Sequence, residues 1–200
     1  MFDSFALAFV GTLYGCFFVN QWDSATNMSF LPSSVFLVVM GVAGCGKSSV
    51  GAALAQAEGL PLIEGDDHHS PASREKMRQG IALTDADREG WLSTLGQLLQ
   101  TQPHGAVLTC SALKKVYRDR LRSACPGLRF VFLEIDRASA GQRVAARAGT
   151  HFFSTALVDS QFATLESPVG EAGVLRLDAL LELSTLQQQA SAWIATKELA

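Results

Sequence analysis

Apolar residues along this chain gather in short continuous runs instead of alternating with polar ones. Val35 to Met40 reads VFLVVM, rich in β-branched residues, which is the pattern of a parallel strand buried on both faces. Similar runs lie at Leu60 to Ile63, Ala106 to Cys110, Phe130 to Ile135 and Val174 to Leu177. Helical patterns separate them: the small-residue stretch VGAALAQAEG closing at Gly59, then Thr84 to Leu99, Lys114 to Ala124, Ala138 to Ala148, Ser154 to Leu165 and a last helix from about Ser184. This alternation predicts an α/β fold, a mainly parallel sheet wrapped by helices on both sides in three layers.

The first 33 residues depart from that pattern. Phe5 to Val19 is apolar throughout, but its 15 residues fall short of the roughly 20 that span a bilayer. No Lys or Arg occurs before Lys47, so the stretch lacks the basic start of a signal peptide. Met28 offers an alternative start shortly before the first strand, and residues 1–33 are expected to be an extension outside a fold that occupies residues 34–200.

Composition narrows the function. The 200 residues are 48% hydrophobic and 18% charged, enough apolar material for one principal domain with a small lid. Sixteen Lys plus Arg against nineteen Asp plus Glu leave a net charge of -3, which gives no general attraction for nucleic-acid phosphates. Cys16, Cys45, Cys110 and Cys125 form no CxxC pair and no zinc-like spacing, and read as free thiols of a reducing compartment.

The strongest chemical signal follows the first strand. Gly41-Val42-Ala43-Gly44-Cys45-Gly46-Lys47-Ser48, with Ser49 behind it, matches GxxxxGK[ST] between a predicted strand and a predicted helix. Glycines let backbone N–H groups converge on phosphates at the positive end of the helix. Lys47 is expected to reach the β and γ phosphates, and Ser48 to hold Mg²⁺. Neither an NKxD guanine-reading motif nor a DxxG switch is present, which argues against a GTPase; the small size and the lack of a strand ending in Asp-Glu argue against a motor ATPase. Cys45, inside the loop and near a helix N-terminus, raises the idea of redox inhibition.

A second polar concentration, GDDHHSPASREK from Gly65, follows the run Leu60 to Ile63. Ligands of parallel α/β sheets gather outside the carboxyl ends of the strands, so Asp66 and Asp67 are expected beside the phosphate loop. Asp66 is the preferred base for deprotonating an attacking hydroxyl, and a candidate for holding the metal. Four consecutive D-D-H-H residues in an extended segment point to alternate faces and cannot all bind one ion. His69 can hydrogen-bond a polyhydroxy substrate; His68 reads as an exposed loop residue.

Four blocks, GVAGCGKSS, GDDHHSPASREKMRQGIALTDADREGWL, CSALKKVYRDRLR and ARAGTHFFSTALVDSQFATLE, stand in an order and spacing that resemble gluconokinases of the thermoresistant type, the P-loop enzymes that phosphorylate D-gluconate with ATP. The resemblance runs from about Val35 to the C-terminus. It implies a P-loop fold of the adenylate-kinase and shikimate-kinase kind with a small helical lid around residues 140–155, the cofactors ATP and Mg²⁺, and a cytoplasmic homodimer. The family pattern GDxxHPxxNxxKM is met at Gly65, Asp66, His69, Lys76 and Met77, with Ser70 in place of the proline and Ser73 in place of the asparagine.

What the resemblance implies for the site is a pocket of cationic and hydrogen-bonding groups for a polyhydroxy carboxylate: Asp66, His69, Arg74, Lys76 and Arg88 from the second block, and Lys114 and Arg118 for the carboxylate from the third. Arg143 and Arg147, four apart on one predicted helix, are lid arginines placed on the ATP phosphates, and His151 touches substrate or hinges the lid. The spelling AGTHFF carries one residue more than the commoner GHFF spacing. Thr84 is a good N-cap, which makes helix capping the competing role for Asp85 and Asp87. The leading expectation is phosphotransfer from ATP to gluconate; the alternatives are a shikimate-type or nucleotide kinase and a nucleotide-binding regulator without turnover.

Overall fold

The computed structural model describes residues 34–146 and 155–196. Five parallel strands form one sheet in the order β2-β3-β1-β4-β5: β1 Val35–Met40, β2 Leu62–Glu64, β3 Gly105–Thr109, β4 Arg129–Glu134 and β5 Val174–Asp178. Each run lies within a residue or two of its predicted place, because a segment apolar on both faces is stable only where both faces are covered. Leu37, Val39, Val107, Val131 and Leu133 pack on one side of the sheet against α1 (Lys47–Glu58) and α7 (Leu183–Ala195), with contributions from α5 (Arg137–Ala146) and α6 (Thr155–Thr164). Val38, Met40, Leu108, Phe130 and Phe132 pack on the other side against α3 (Asp85–Gln100) and α4 (Lys115–Ala124). The three layers and the parallel sheet are those expected.

Helix ends follow local chemistry. Gly59 closes α1 in the left-handed conformation at φ 65° and donates back to the helix carbonyls. Thr84 accepts from the Asp87 N–H while the Asp87 carboxylate accepts from the Thr84 N–H, a capping box that opens α3. Capping is therefore one role of Asp87.

Two elements differ from expectation. Gly65–His68 is a single 3-10 turn, not an extended segment. In that geometry residues three apart fall on the same side, so Asp66 and His69 come together, with Nε2 of His69 3.8 Å from the Asp66 carboxylate. The segment then continues as a helix, α2 (Pro71–Arg78), where none was predicted. Ser70 caps it by accepting from the Ser73 N–H at 3.1 Å, and Pro71 fills the first helical position. The two positions that depart from the family pattern thus build a helix start.

Candidate active site

The phosphate loop crosses from the end of β1 into α1, and its curvature is set by glycine. Gly44 has φ 83°, and a Cβ there would lie 2.7 Å from the Ala140 carbonyl oxygen. Val42, Ala43 and Cys45 are buried, whereas Ser48 and Ser49 are exposed at the helix start. Lys47 donates from Nζ to the Val42 carbonyl at 3.1 Å, curling over its own loop. Cys45 is buried and desolvation pushes its thiol up, against the weaker opposing influence of the Lys47 and Arg143 charges. A protonated, buried thiol is unreactive, which removes the basis for redox inhibition through Cys45.

Glu64, at the carboxyl end of β2, completes the floor. Its carboxylate accepts from Ser48 Oγ at 3.1 Å and from Thr109 Oγ1, joining the phosphate loop to the ends of two strands. The apolar run that predicts this strand ends at Ile63, so Glu64 falls just outside it; the strand-end rule that singles out Asp66 applies equally to Glu64, two residues earlier.

One cavity collects the chemistry: Lys47, Asp66, His69, Met77, Ala82, Leu83, Arg88, Trp91, Ser111, Leu157, Ser160 and Gln161 line it. Four of the predicted site residues meet there: Lys47, Asp66, His69 and Arg88. The carboxylate of Asp66 is 59% exposed, open to an incoming hydroxyl. His69 is held by Trp91, whose indole stacks on it at 4.2 Å between centroids and whose Nε1 donates to the Gly65 carbonyl at 2.8 Å. Nδ1 of His69 is buried without a hydrogen-bond partner among the described residues. Burial holds the imidazole pKa down to about 4, aided by the Arg88 and Arg74 charges and opposed by Asp66, so the ring is neutral at ordinary pH. Arg88 faces the cavity, donates to the Leu83 carbonyl and lies 5.7 Å from the Tyr117 ring centroid.

Other predicted residues have partners within the protein. Arg118 is fully buried and forked onto Glu171, with Nη1 also donating to the Ala112 and Leu113 carbonyls at 2.9 and 3.1 Å. The expectation that it meets a substrate carboxylate is corrected, because its donors are used inside the protein. Lys114 gives its ammonium to Asp85 at 2.7 Å, and Tyr117 donates to the same carboxylate. Lys76 is paired with Asp87 at 2.7 Å. Arg74 turns to the loop backbone, donating to the carbonyls of His69 and Asp67. Arg143 donates to the Ala179 carbonyl at 3.1 Å, tying α5 to the end of β5, and does not line the cavity. Arg147 and His151 lie outside the described residues.

The arrangement, a phosphate loop with its lysine, an exposed carboxylate and a neutral imidazole around one cavity, suits transfer of a phosphoryl group to a hydroxyl. A family model described as an AAA domain matches residues 36–168. The chain is 44% identical to the gluconokinase of Gluconobacter oxydans over 158 residues, covering 78% of this chain and 87% of the relative. It is 37% identical to the thermosensitive gluconokinase of Escherichia coli, covering 76% of this chain and 83% of the relative. The crystal structure of a gluconokinase from Sinorhizobium meliloti superposes with a TM-score of 0.75 at 44% identity, covering 80% of this chain and 91% of that one. On these matches the chain belongs to the gluconokinase family of P-loop kinases.

Proposed function

We propose that this chain transfers the γ-phosphoryl group of ATP to the C6 hydroxyl of D-gluconate, giving 6-phospho-D-gluconate and ADP. The observation that carries the reading is that Lys47 and Asp66 line one cavity. In the proposed step a lone pair of the C6 oxygen forms the new O–P bond. The bond from the γ phosphorus to its bridging oxygen breaks, ADP leaves with that electron pair, and the C6 proton passes to Asp66. Lys47 and the N–H groups of the loop from Gly41 to Ser49, apart from that of Ala43, which donates to Gln161, hold the phosphates, and the neutral His69 and Arg88 hold the polyhydroxy acid.

The residues fit Mg²⁺, which takes hard oxygen ligands and keeps several waters, so that one or two protein oxygens suffice. Ser48 and Asp66 are the proposed donors, with the Glu64 carboxylate 3.1 Å from the Ser48 hydroxyl to orient it. When bound, the ion neutralises phosphate charge. Arg147 and Arg143 are proposed as lid arginines that complete the phosphate site on closure; in the described geometry Arg143 would exchange its bond to Ala179 for that role. His151 is proposed as a substrate or hinge residue of the same lid.

We further propose that residues 1–33 are an N-terminal extension preceding in sequence a kinase domain at 34–200, and that the enzyme works as a cytoplasmic homodimer. Among the described residues no helix is long and apolar enough to cross a membrane. The test is ADP release measured with gluconate, other sugar acids, shikimate and nucleoside monophosphates. Gluconate-dependent ADP is expected; turnover with a different acceptor only, or ATP affinity without turnover, overturns the assignment.

A further inference from the structure

Helix α6 sends one side chain back to the phosphate loop. Oε1 of Gln161 accepts from the backbone N–H of Ala43 at 2.6 Å, across 118 positions of sequence. A peptide N–H can only donate, so the carboxamide must present its oxygen to Ala43 and its NH₂ on the other side. No described residue accepts from that Nε2. Gln161 also lines the cavity that contains Lys47 and Asp66. The side chain therefore joins the phosphate loop to the space between the phosphate lysine and the proposed base, with a donor that no described residue uses.

We propose that Gln161 is a further catalytic residue, whose Nε2–H donates to the phosphoryl group in transfer while the Ala43 N–H fixes its oxygen. The proposal rests on reading this cavity as the place of phosphoryl transfer. Charge on the phosphoryl oxygens is spread over several atoms in flight, and a neutral donor already held in place stabilises it without reorganisation. Its anchor lies on the loop that cradles the phosphates, so donor and phosphates share one frame. Glutamine meets both demands, whereas glutamate could accept from Ala43 but would turn an anion toward the phosphate.

Two variants of the full-length enzyme separate this role from a structural one. Q161E keeps the length and the acceptor for Ala43 and loses the donor; Q161M keeps the length and loses both. The expected result is that kcat for gluconate-dependent ADP release falls about 10²- to 10³-fold in each, while ADP affinity and the thermal midpoint stay near wild type. A folded variant whose kcat stays within a few-fold of wild type overturns the proposal, as does a loss of turnover matched by an equal loss of ADP affinity. If neither variant folds, Gln161 is a strut between α6 and the loop and the proposal is likewise overturned. Absence of gluconate-dependent turnover in the wild-type enzyme would instead refute the acceptor assignment, before any variant is compared.

Discussion

Asp66 sits where a proton must be taken up, yet almost nothing in the fold depends on it. Its carboxylate is 59% exposed, and the neutral imidazole of His69 lies 3.8 Å from it. Asp66→Asn keeps the shape and removes the proton acceptor, so kcat with gluconate should fall about 10²- to 10⁴-fold with little change in thermal midpoint; near-normal turnover measured by ADP release would rule out its role as base. One residue earlier the balance reverses. A Cβ on Gly65 would lie 2.2 Å from the Thr109 carbonyl oxygen, inside contact distance of a backbone that cannot move without parting β2 from β3. Gly65→Ala should cost about 1 to 3 kcal/mol of stability, the range for overpacking, read as a lower urea midpoint. Asp66 was legible because it follows an apolar run that ends beside the phosphate loop. Glu64 was not, because it falls just past the apolar run and reads as the first residue of a polar loop until the neighbouring Ser48 and Thr109 are known.

The elements around the cavity are fastened by ion pairs that the linear pattern could not assign. Arg118, Arg122, Lys114 and Lys115 crowd one stretch of sequence, and dense positive charge reads equally well as a ligand cluster or a wet helix face. The fold divides them: Arg118 and Arg122 grip Glu171 from the segment before β5, Lys114 grips Asp85 at the start of α3, and Lys115 pairs with Asp119 along its own helix. Burial raises the Glu171 pKa, but the two arginines more than offset this and hold it below its ordinary value. Arg118 also holds the carbonyls of Ala112 and Leu113, beside Ser111 of the cavity, with Ala112 at φ 43°. Arg118→Met removes one of the two arginines on a mostly buried carboxylate, leaves Arg122 in place, and strips the Ala112 and Leu113 carbonyls of their donor, so it should destabilise by about 1 to 3 kcal/mol. In the double variant with Glu171→Met most of that loss should return, and a loss in the double variant equal to the sum of the two single losses in thermal unfolding would show the pair to be uncoupled. Helix α2 escaped prediction for a related reason: PASREKMR has almost no apolar face, buries only Ser73, and is started by Ser70 and Pro71 and not by hydrophobic periodicity.

At the scale of the molecule, the parallel α/β architecture was legible because it follows from how apolar runs must be covered. The strand order was not, since nothing in a run of Val and Leu says which neighbour it takes. That order determines the site: β3 lies between β1 and β2, so the loop after β1, the 3-10 turn after β2 and Ser111 after β3 meet at one edge, and α6 closes over them with Gln161. His69 reports on the integrity of this assembly through pH. Its folded pKa of about 4 lies below the unfolded value of 6.5, so between these values the unfolded chain binds the extra proton and stability falls as pH falls. The contribution is fully present above pH 6.5 and is lost toward pH 4. Carboxylates such as Asp87, held down to about 2 mainly by Lys76, lose their contribution only below their own unfolded value of 3.8, so the interval from pH 7 to pH 5 isolates the histidine. Across that interval the unfolding free energy should drop by about 2 kcal/mol. His69→Gln, which keeps a polar group against Trp91 without a titrating ring, should flatten the slope, and an unchanged slope in urea unfolding at the two pH values would mean that the imidazole is not held neutral by its burial.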